Sequence, residues 1–266
     1  MNTNFTIVIC TDLDGSLLDR ETFNFLEIKD YLKELISKNI IIIPNSSKTR
    51  KEILNFNNEL GENLPIISEN GSEIFGLNNI NSNFPDKIVL SREKKEILEI
   101  FNKNIPTKLK NKCQFISNLA ENKQSEIFGL EREKIKFALN RSYTIPILFN
   151  ENKKDKEELL NYVNLAGLTL QEGGRVINLC DKVSKAEAMK IAVKNIKKMN
   201  NNKVKTIGVG DNFNDLEMLK ASDIPCLVFN DNFKLDKINI NNCLVSKNSS
   251  PTGWAEVVKL ALDKIY

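Results

Sequence analysis

Two aspartates stand two residues apart in Asp12-Leu13-Asp14-Gly15-Ser16, directly after an apolar run. Carboxylates this close repel, so a cation must offset them. Three further polar clusters complete a chemical set: Asn45-Ser46-Ser47-Lys48, the single Lys185, and Gly210-Asp211-Asn212-Phe213-Asn214-Asp215. A carboxylate is a competent nucleophile toward phosphorus and gives an aspartyl-phosphate. An anionic phosphate would be repelled by it unless a divalent cation lay between them, and magnesium takes a shell of oxygens. Asp12 and Asp211 can supply two carboxylates for that ion from neighbouring strand ends. Asp14 is spaced to give a proton to a leaving oxygen and later take one from water. Ser46 can hydrogen-bond phosphoryl oxygens, and Lys185 adds positive charge where the transition state is most anionic. Gly15 permits a sharp exit or a close backbone approach. Taken singly, the clusters read as a turn, a helix cap, a solvated charge and a calcium-like loop. Together, in this order, they are the set that aspartate-based phosphoryl transfer needs.

Other chemistries are excluded by what the chain lacks. Its 266 residues contain no histidine. Ser-His-Asp and Cys-His triads, a phosphohistidine and the usual zinc sites are therefore ruled out. Five cysteines, an odd number with no CxxC pair, sit mostly in apolar contexts and read as buried reduced thiols of a cytoplasmic protein. A net charge of +3 argues against a nucleic-acid or membrane surface. No apolar run reaches the roughly 18 residues of a transmembrane helix. The opening MNTNFTIVIC has no basic segment before its apolar run, which reads as a strand and not a leader.

Those polar clusters must be held by regular elements. Residues 5–10 are a near-continuous apolar run, as a strand covered on both faces would be. Ile28, Tyr31, Leu32, Leu35 and Ile36 share one helical face. Residues 40–43 form a second buried strand, Ser47 or Thr49 starts another helix, and residues 65–67 make a third short strand ending at an Asn70-Gly71 turn. Alternation resumes with a helix opened by Ser184, a strand at 204–209, a short helix at 216–221, a strand at 225–229 and a terminal helix at 254–265. Such alternation implies α/β architecture: a parallel sheet with helices on both faces. In such sheets ligands bind beyond the carboxyl ends of the strands, where all four clusters fall. Residues 87–181 differ, with long charged helical patterns between strand-like pieces. They are expected to form a smaller α+β domain inserted into a core of residues 1–86 and 182–266. Trp254 is expected to pack the terminal helix.

The four motifs, in this order and over essentially the whole chain, resemble the haloacid-dehalogenase superfamily of phosphatases. The insertion between the second and third motifs is similar to the Cof-type branch (subclass IIB), which implies a Rossmann-like core with a C2B-type cap. That resemblance implies Asp12 as nucleophile, Asp14 as general acid and base, and Mg2+ held by the side chains of Asp12 and Asp211 and the backbone carbonyl of Asp14. It further implies that Asp215 supports the metal or Lys185, and that Asn214 contacts the phosphate. Ile43-Pro44-Asn45-Ser46-Ser47-Lys48-Thr49, Ser68-Glu69-Asn70-Gly71, Gly173-Gly174-Arg175 and Pro251-Thr252-Gly253-Trp254 are similar to segments of mannosyl-3-phosphoglycerate phosphatases. Ser47, Lys48, Asn70, Arg141 and Arg175 are thereby implied as substrate contacts. Arg175 can also pair bidentately with a carboxylate such as that of a glycerate. The implied reaction is hydrolysis of a hexosyl-3-phosphoglycerate, a phosphorylated sugar derivative, to hexosylglycerate and phosphate. A cap stretch that reads REYSEPF in that family is Arg141-Ser142-Tyr143-Thr144-Ile145-Pro146-Ile147 here, with Ser142 and Ile145 in place of glutamates. A broad sugar-phosphate phosphatase, a phosphomutase and a silent phospho-ligand binder are the other readings. Oligomeric state is not legible in the sequence.

Overall fold

The alternation of strand and helix expected of residues 5 to 60 is present in a computed structural model, which describes residues 5–172, 176–199, 203–231 and 240–266. Strand β1 (Thr6–Thr11), helix α1 (Lys29–Ser37), strand β2 (Ile41–Pro44) and helix α2 (Arg50–Leu60) follow in order. Thr49, the second of the two expected caps, begins α2. Its hydroxyl accepts from the backbone N–H of Glu52, whose carboxylate accepts from the N–H of Thr49.

The third strand and the turn after it form where expected, but the strand does not join the five-stranded parallel sheet. Strand β3 (Ile66–Ser68) meets the parallel sheet only through one bridge, Asn45 to Ile67, and otherwise pairs antiparallel with β4 (Glu73–Phe75). The reason lies in the turn between them. Glu69, Asn70 and Gly71 all take positive φ (48°, 61° and 97°) and reverse the chain. Gly71 is required there, because a Cβ would fall 2.3 Å from the carbonyl oxygen of Ser184. Strand β5 (Lys87–Val89) adds to β4 and completes a three-stranded antiparallel sheet.

An α+β insertion follows: α3 (Lys94–Asn104), α4 (Thr107–Lys110), β6 (Gln114–Phe115), α5 (Glu121–Phe128), α6 (Arg132–Ala138), β7 (Ile145–Leu148), α7 (Lys153–Leu165), β8 (Leu168–Glu172) and β9 (Ile177–Asp181). Its strands form an antiparallel sheet ordered β6-β7-β9-β8. Ile97, Phe101, Leu159, Val163, Ile147 and Leu179 cluster with α3 and α7 against one face of it. The chain then resumes the first pattern with α8 (Lys185–Lys197), β10 (Val204–Gly210), α9 (Leu216–Ala221), β11 (Ile224–Leu227), β12 (Leu244–Val245) and α10 (Thr252–Asp263).

The five-stranded parallel sheet runs β12-β11-β10-β1-β2. Successive side chains of β1 point to opposite faces. Ile7 and Ile9 join Leu32, Leu35, Trp254 and Val258 on one side, and Val8 and Cys10 join Ala188, Met189, Ala192 and Met218 on the other. Both faces are thus dry, which is why β1 reads as an uninterrupted apolar run. Trp254 is a packing residue as expected, fully buried, with its indole N–H donating to Thr11 Oγ1 at 2.8 Å. Among the described residues no helix is long and apolar enough to cross a membrane. Gly173, Gly174 and Arg175 lie outside the described residues, so the substrate contact expected of Arg175 has no structural counterpart here.

Candidate active site

Three of the four motifs sit where a parallel strand ends, and the fourth, Lys185, starts a helix. Asp12 follows β1 directly, and its backbone N–H donates to Val209 O of β10 at 2.8 Å. Asp211 follows β10. Ser184 caps α8 through a bond from the N–H of Glu187, so Lys185 is the first residue of that helix. Asn45, after β2, donates through Nδ2 to the carbonyl of Lys185 at 2.9 Å and fixes the helix start against the sheet. This anchoring explains how one lysine, distant in sequence from both aspartate motifs, reaches them.

Lys185 Nζ lies 2.6 Å from Asp12 Oδ1 and 2.8 Å from Asp215 Oδ1, with all three side chains buried. Burial works against its charge, but the two carboxylates outweigh that and hold its pKa above the usual lysine range. Asp215 also accepts from the backbone N–H groups of Asp211 and Asn212. Asp211 takes a bond from the Ser16 hydroxyl at 3.0 Å and one from Asn230 Nδ2 at 3.0 Å, and is paired with Arg20. Gly15, at φ +82°, lets the chain pass this group. A Cβ there would fall 2.8 Å from Asp211 Oδ2.

Charge is crowded in this floor. Burial pushes the Asp211 carboxyl up to about 7, with Asp215 and Asp12 adding to the shift. Asp215 is pushed up to about 6, again by burial first. Oxygens of Asp12, Asp211 and Asp215 all lie within 4.8 Å of one another. Three buried carboxylates of this kind are a donor set that suits a hard divalent cation such as Mg2+. The residues therefore fit the expected metal.

Asp14 is turned differently. Its Oδ2 lies 2.9 Å from Lys48 Nζ, while Oδ1 is buried without a partner among the described residues. Burial raises its pKa, and the Lys48 charge only partly opposes this. Lys48 is itself held 3.7 Å from Glu52 and 4.6 Å from the centre of the Phe23 ring. Lys48, expected as a substrate contact, is thus paired with Asp14 in this structure.

A cavity of about 460 Å3 opens above these groups. Asp12, Asp14, Ser47, Lys48, Asp211 and Asn214 line it from the parallel-sheet side. Arg141, Phe128, Leu130, Val176 and Asn178 line it from the insertion. Arg141 donates through Nη1 to Ser47 O at 3.1 Å and to Thr144 Oγ1 at 2.9 Å. The Thr144 hydroxyl donates in turn to Glu69 Oε2 at 2.7 Å. Glu69 also accepts the backbone N–H groups of Ser142, Tyr143 and Thr144. Ser46 is buried beneath this wall, its hydroxyl accepting from the N–H of Lys48 at 3.3 Å. Asn70 lines an adjoining depression on the other side of Lys185, which Asn214 shares.

Three residues in this arrangement went unread in the sequence, Arg20, Asn178 and Asn230, while Glu69 and Thr144 were noted only as members of family-like segments and given no role. Of the three, Asn178 carried a signal, a lone amide inside the otherwise apolar run Val176-Ile177-Asn178-Leu179-Cys180.

The profile of the family described as haloacid dehalogenase-like hydrolase matches residues 9–257. A glucosyl-3-phosphoglycerate/mannosyl-3-phosphoglycerate phosphatase of Persephonella marina is 30% identical over 97% of this chain and 98% of its own. Another so named, from Methanococcoides burtonii, is 30% identical over 94% of this chain and 95% of its own. Among solved structures, a haloacid dehalogenase-like hydrolase from Bacteroides thetaiotaomicron aligns with a TM-score of 0.65 at 16% identity, covering 98% of this chain and 100% of that one. A subclass IIB sugar phosphatase aligns with a TM-score of 0.64 at 14% identity over the same shares of the two chains. At those identities the likeness is one of fold.

Proposed function

The chain belongs to the haloacid dehalogenase-like hydrolase family and is a phosphoric monoester hydrolase, and from that premise we propose that its substrate is mannosyl-3-phosphoglycerate or a related glycosyl-3-phosphoglycerate. The products are a glycosylglycerate and phosphate. The observation that carries the reading is the meeting of Asp12, Asp14 and Asp211 at the floor of one cavity whose opposite wall presents Arg141, with Lys185 bonded to Asp12 behind that floor. The full-length likeness to the two named phosphatases supports the substrate.

In this reading the cap, expected from residue 87, begins after β5, because Lys87–Val89 pairs with β4; it runs from about 90 to 181, and residues 1–89 with 182–266 are the catalytic core. Asp12 attacks phosphorus and forms an aspartyl-phosphate while the ester oxygen departs. Asp14 gives that oxygen its proton, a role suited to a carboxyl whose burial favours the protonated form. Asp14, now ionised, takes a proton from water as the water attacks the aspartyl-phosphate. Asp12 and inorganic phosphate are regenerated. Lys185 holds Asp12 in place and supplies fixed positive charge beside the phosphoryl oxygens. Asp12, Asp211 and Asp215, with the backbone carbonyl of Asp14, would hold Mg2+. When bound, that ion would screen the carboxylates from the phosphate and from one another.

Arg141 is the candidate partner for the glycerate carboxylate. The altered cap stretch leaves that wall intact: Ser142 is exposed and Ile145 is packed in the apolar cluster behind the cap sheet. Free cysteines, four of them buried, suit a cytoplasmic setting.

The test is phosphate release, with magnesium, from mannosyl-3-phosphoglycerate, glucosyl-3-phosphoglycerate and a panel of hexose phosphates. The reading expects kcat/KM for one glycosyl-phosphoglycerate to exceed every hexose phosphate at least tenfold. A flat profile would discard the substrate and leave a broad sugar-phosphate phosphatase.

A further inference from the structure

Asn178 is 1% exposed, and neither its Nδ2 nor its Oδ1 has a hydrogen-bond partner among the described residues. It stands in the middle of the cap sheet, opposite Pro146 of β7 and Gln171 of β8. Strand alternation gives its direction. Ile177 and Leu179 pack into the apolar cluster under α3 and α7, whereas Val176 and Asn178 line the cavity shared with Asp12, Asp14 and Arg141. A polar atom left buried and unpaired destabilises the fold. A position needed only for packing would carry an apolar side chain of the same size. The orphaned amide therefore points to a group that the substrate brings.

We propose that Asn178 is a specificity-determining residue that pairs with hydroxyl groups on the alcohol half of the phosphate ester. An amide presents an acceptor and a donor side by side. Its complement must offer a donor and an acceptor at the same spacing, which adjacent hydroxyls of a sugar or other polyol do. A phosphate or carboxylate would meet only the Nδ2 donor and would set oxygen against oxygen at Oδ1. Anionic groups instead find Arg141 and Lys185 in this site. The ligand class at Asn178 is thus a neutral polyol, and the inference rests on the phosphatase reading but not on which sugar is bound.

Two variants and two kinds of ester test it. Asn178→Leu keeps the size and removes both polar atoms, and Asn178→Asp keeps the acceptor and replaces the donor with a second acceptor. Each is assayed for kcat/KM on p-nitrophenyl phosphate, which has no hydroxyl, and on whichever of mannosyl-3-phosphoglycerate or the hexose phosphates the wild type turns over fastest. The ratio of the hydroxylated ester to p-nitrophenyl phosphate should fall at least tenfold in Asn178→Leu and by less in Asn178→Asp. A ratio that stays within threefold overturns the role, as it would if the amide held only a water. Monodeoxy analogues of the same sugar ester, tried on the wild type, keep the test sharp should the variants fold poorly. At least one should lose tenfold in kcat/KM, and losses under threefold at every position would also overturn the role. A folded wild type that releases no phosphate from any of these esters would overturn the phosphatase reading and this inference with it. An active wild type without discrimination overturns the inference alone.

Discussion

Lys185 holds its charge between two buried carboxylates, so its removal and that of Asp12 should have different consequences. Asp12→Asn takes away the proposed nucleophile but leaves Lys185 paired with Asp215. Turnover should fall at least about 10⁴-fold while thermal unfolding moves little. Lys185→Met leaves two carboxylates buried without their cation, and should cost about 3–5 kcal/mol of stability as well as activity. Phosphate release and urea unfolding on both variants check this. An active Asp12→Asn protein, shown by mass to be free of deamidation, would end the nucleophile assignment. Equal destabilisation by the two changes would end the account of Lys185. The meeting of Asp12, Lys185, Asp211 and Asp215 was legible because each stands at a strand end or helix start that local pattern reveals. Arg20 and Asn230 were not, because nothing local marks an arginine or asparagine as a neighbour of a buried aspartate far along the chain.

Two short connections carry the chain into the insertion and back, one between β5 and α3 and the other between β9 and α8. Arg92 on the first and Asp181, the last residue of β9 at the start of the second, tie them together, with the backbone N–H of Arg92 also donating to Asp181 at 2.7 Å. Burial alone would raise the Asp181 carboxyl, but the bonds from Arg92 outweigh it and hold the group below the usual carboxylate range. A carboxyl depressed in this way stabilises the fold fully above its unfolded pKa of about 3.9, and that stability is lost as pH falls through the lower folded value. Asp181→Asn should therefore cost about 1 kcal/mol at pH 7, a modest figure because Arg92 is partly exposed. The gap between variant and wild type should close below about pH 4. Urea unfolding at pH 7 and pH 3 decides it, and a gap of constant size would remove the tie from the account. At this scale the helices were the readable part, since α1, α2, α8 and α10 each keep an apolar face over several turns. Strands β4 and β5 were missed. Each is three residues long, too short to show a period, and their pairing depends on the reversal at Glu69-Asn70-Gly71.

Across the whole molecule, the carboxylate floor sets fold stability against catalysis. Asp211 titrates at about 7 in the folded chain, well above the roughly 3.9 of an unfolded aspartate. A carboxyl raised on folding destabilises wherever it is ionised. The penalty is absent below about pH 4, grows as pH rises from there, and is complete above about 7. The proposed cation needs the ionised form, so the pH range that weakens the metal-free fold is the range that favours metal binding. A ligand bound only by the folded state raises its stability by about 2.7 kcal/mol at a hundredfold excess over Kd. For a chain of this size that is a rise in Tm of roughly 5 °C or more. Added MgCl2 should raise Tm at pH 8, raise it much less at pH 5.5, and be matched at neither pH by NaCl of equal ionic strength. EDTA should reverse the gain and stop phosphate release together. Asp211→Asn removes the acidic group at issue. It should be more stable than the wild type at pH 8 without metal and should gain little from MgCl2. The asparagine variant separates two causes that a metal titration on the wild type confounds: relief of carboxylate repulsion and general salt stabilisation. If Asp211→Asn responded to MgCl2 as the wild type does, the ion would be acting elsewhere on the molecule and the three-aspartate site would lose its metal.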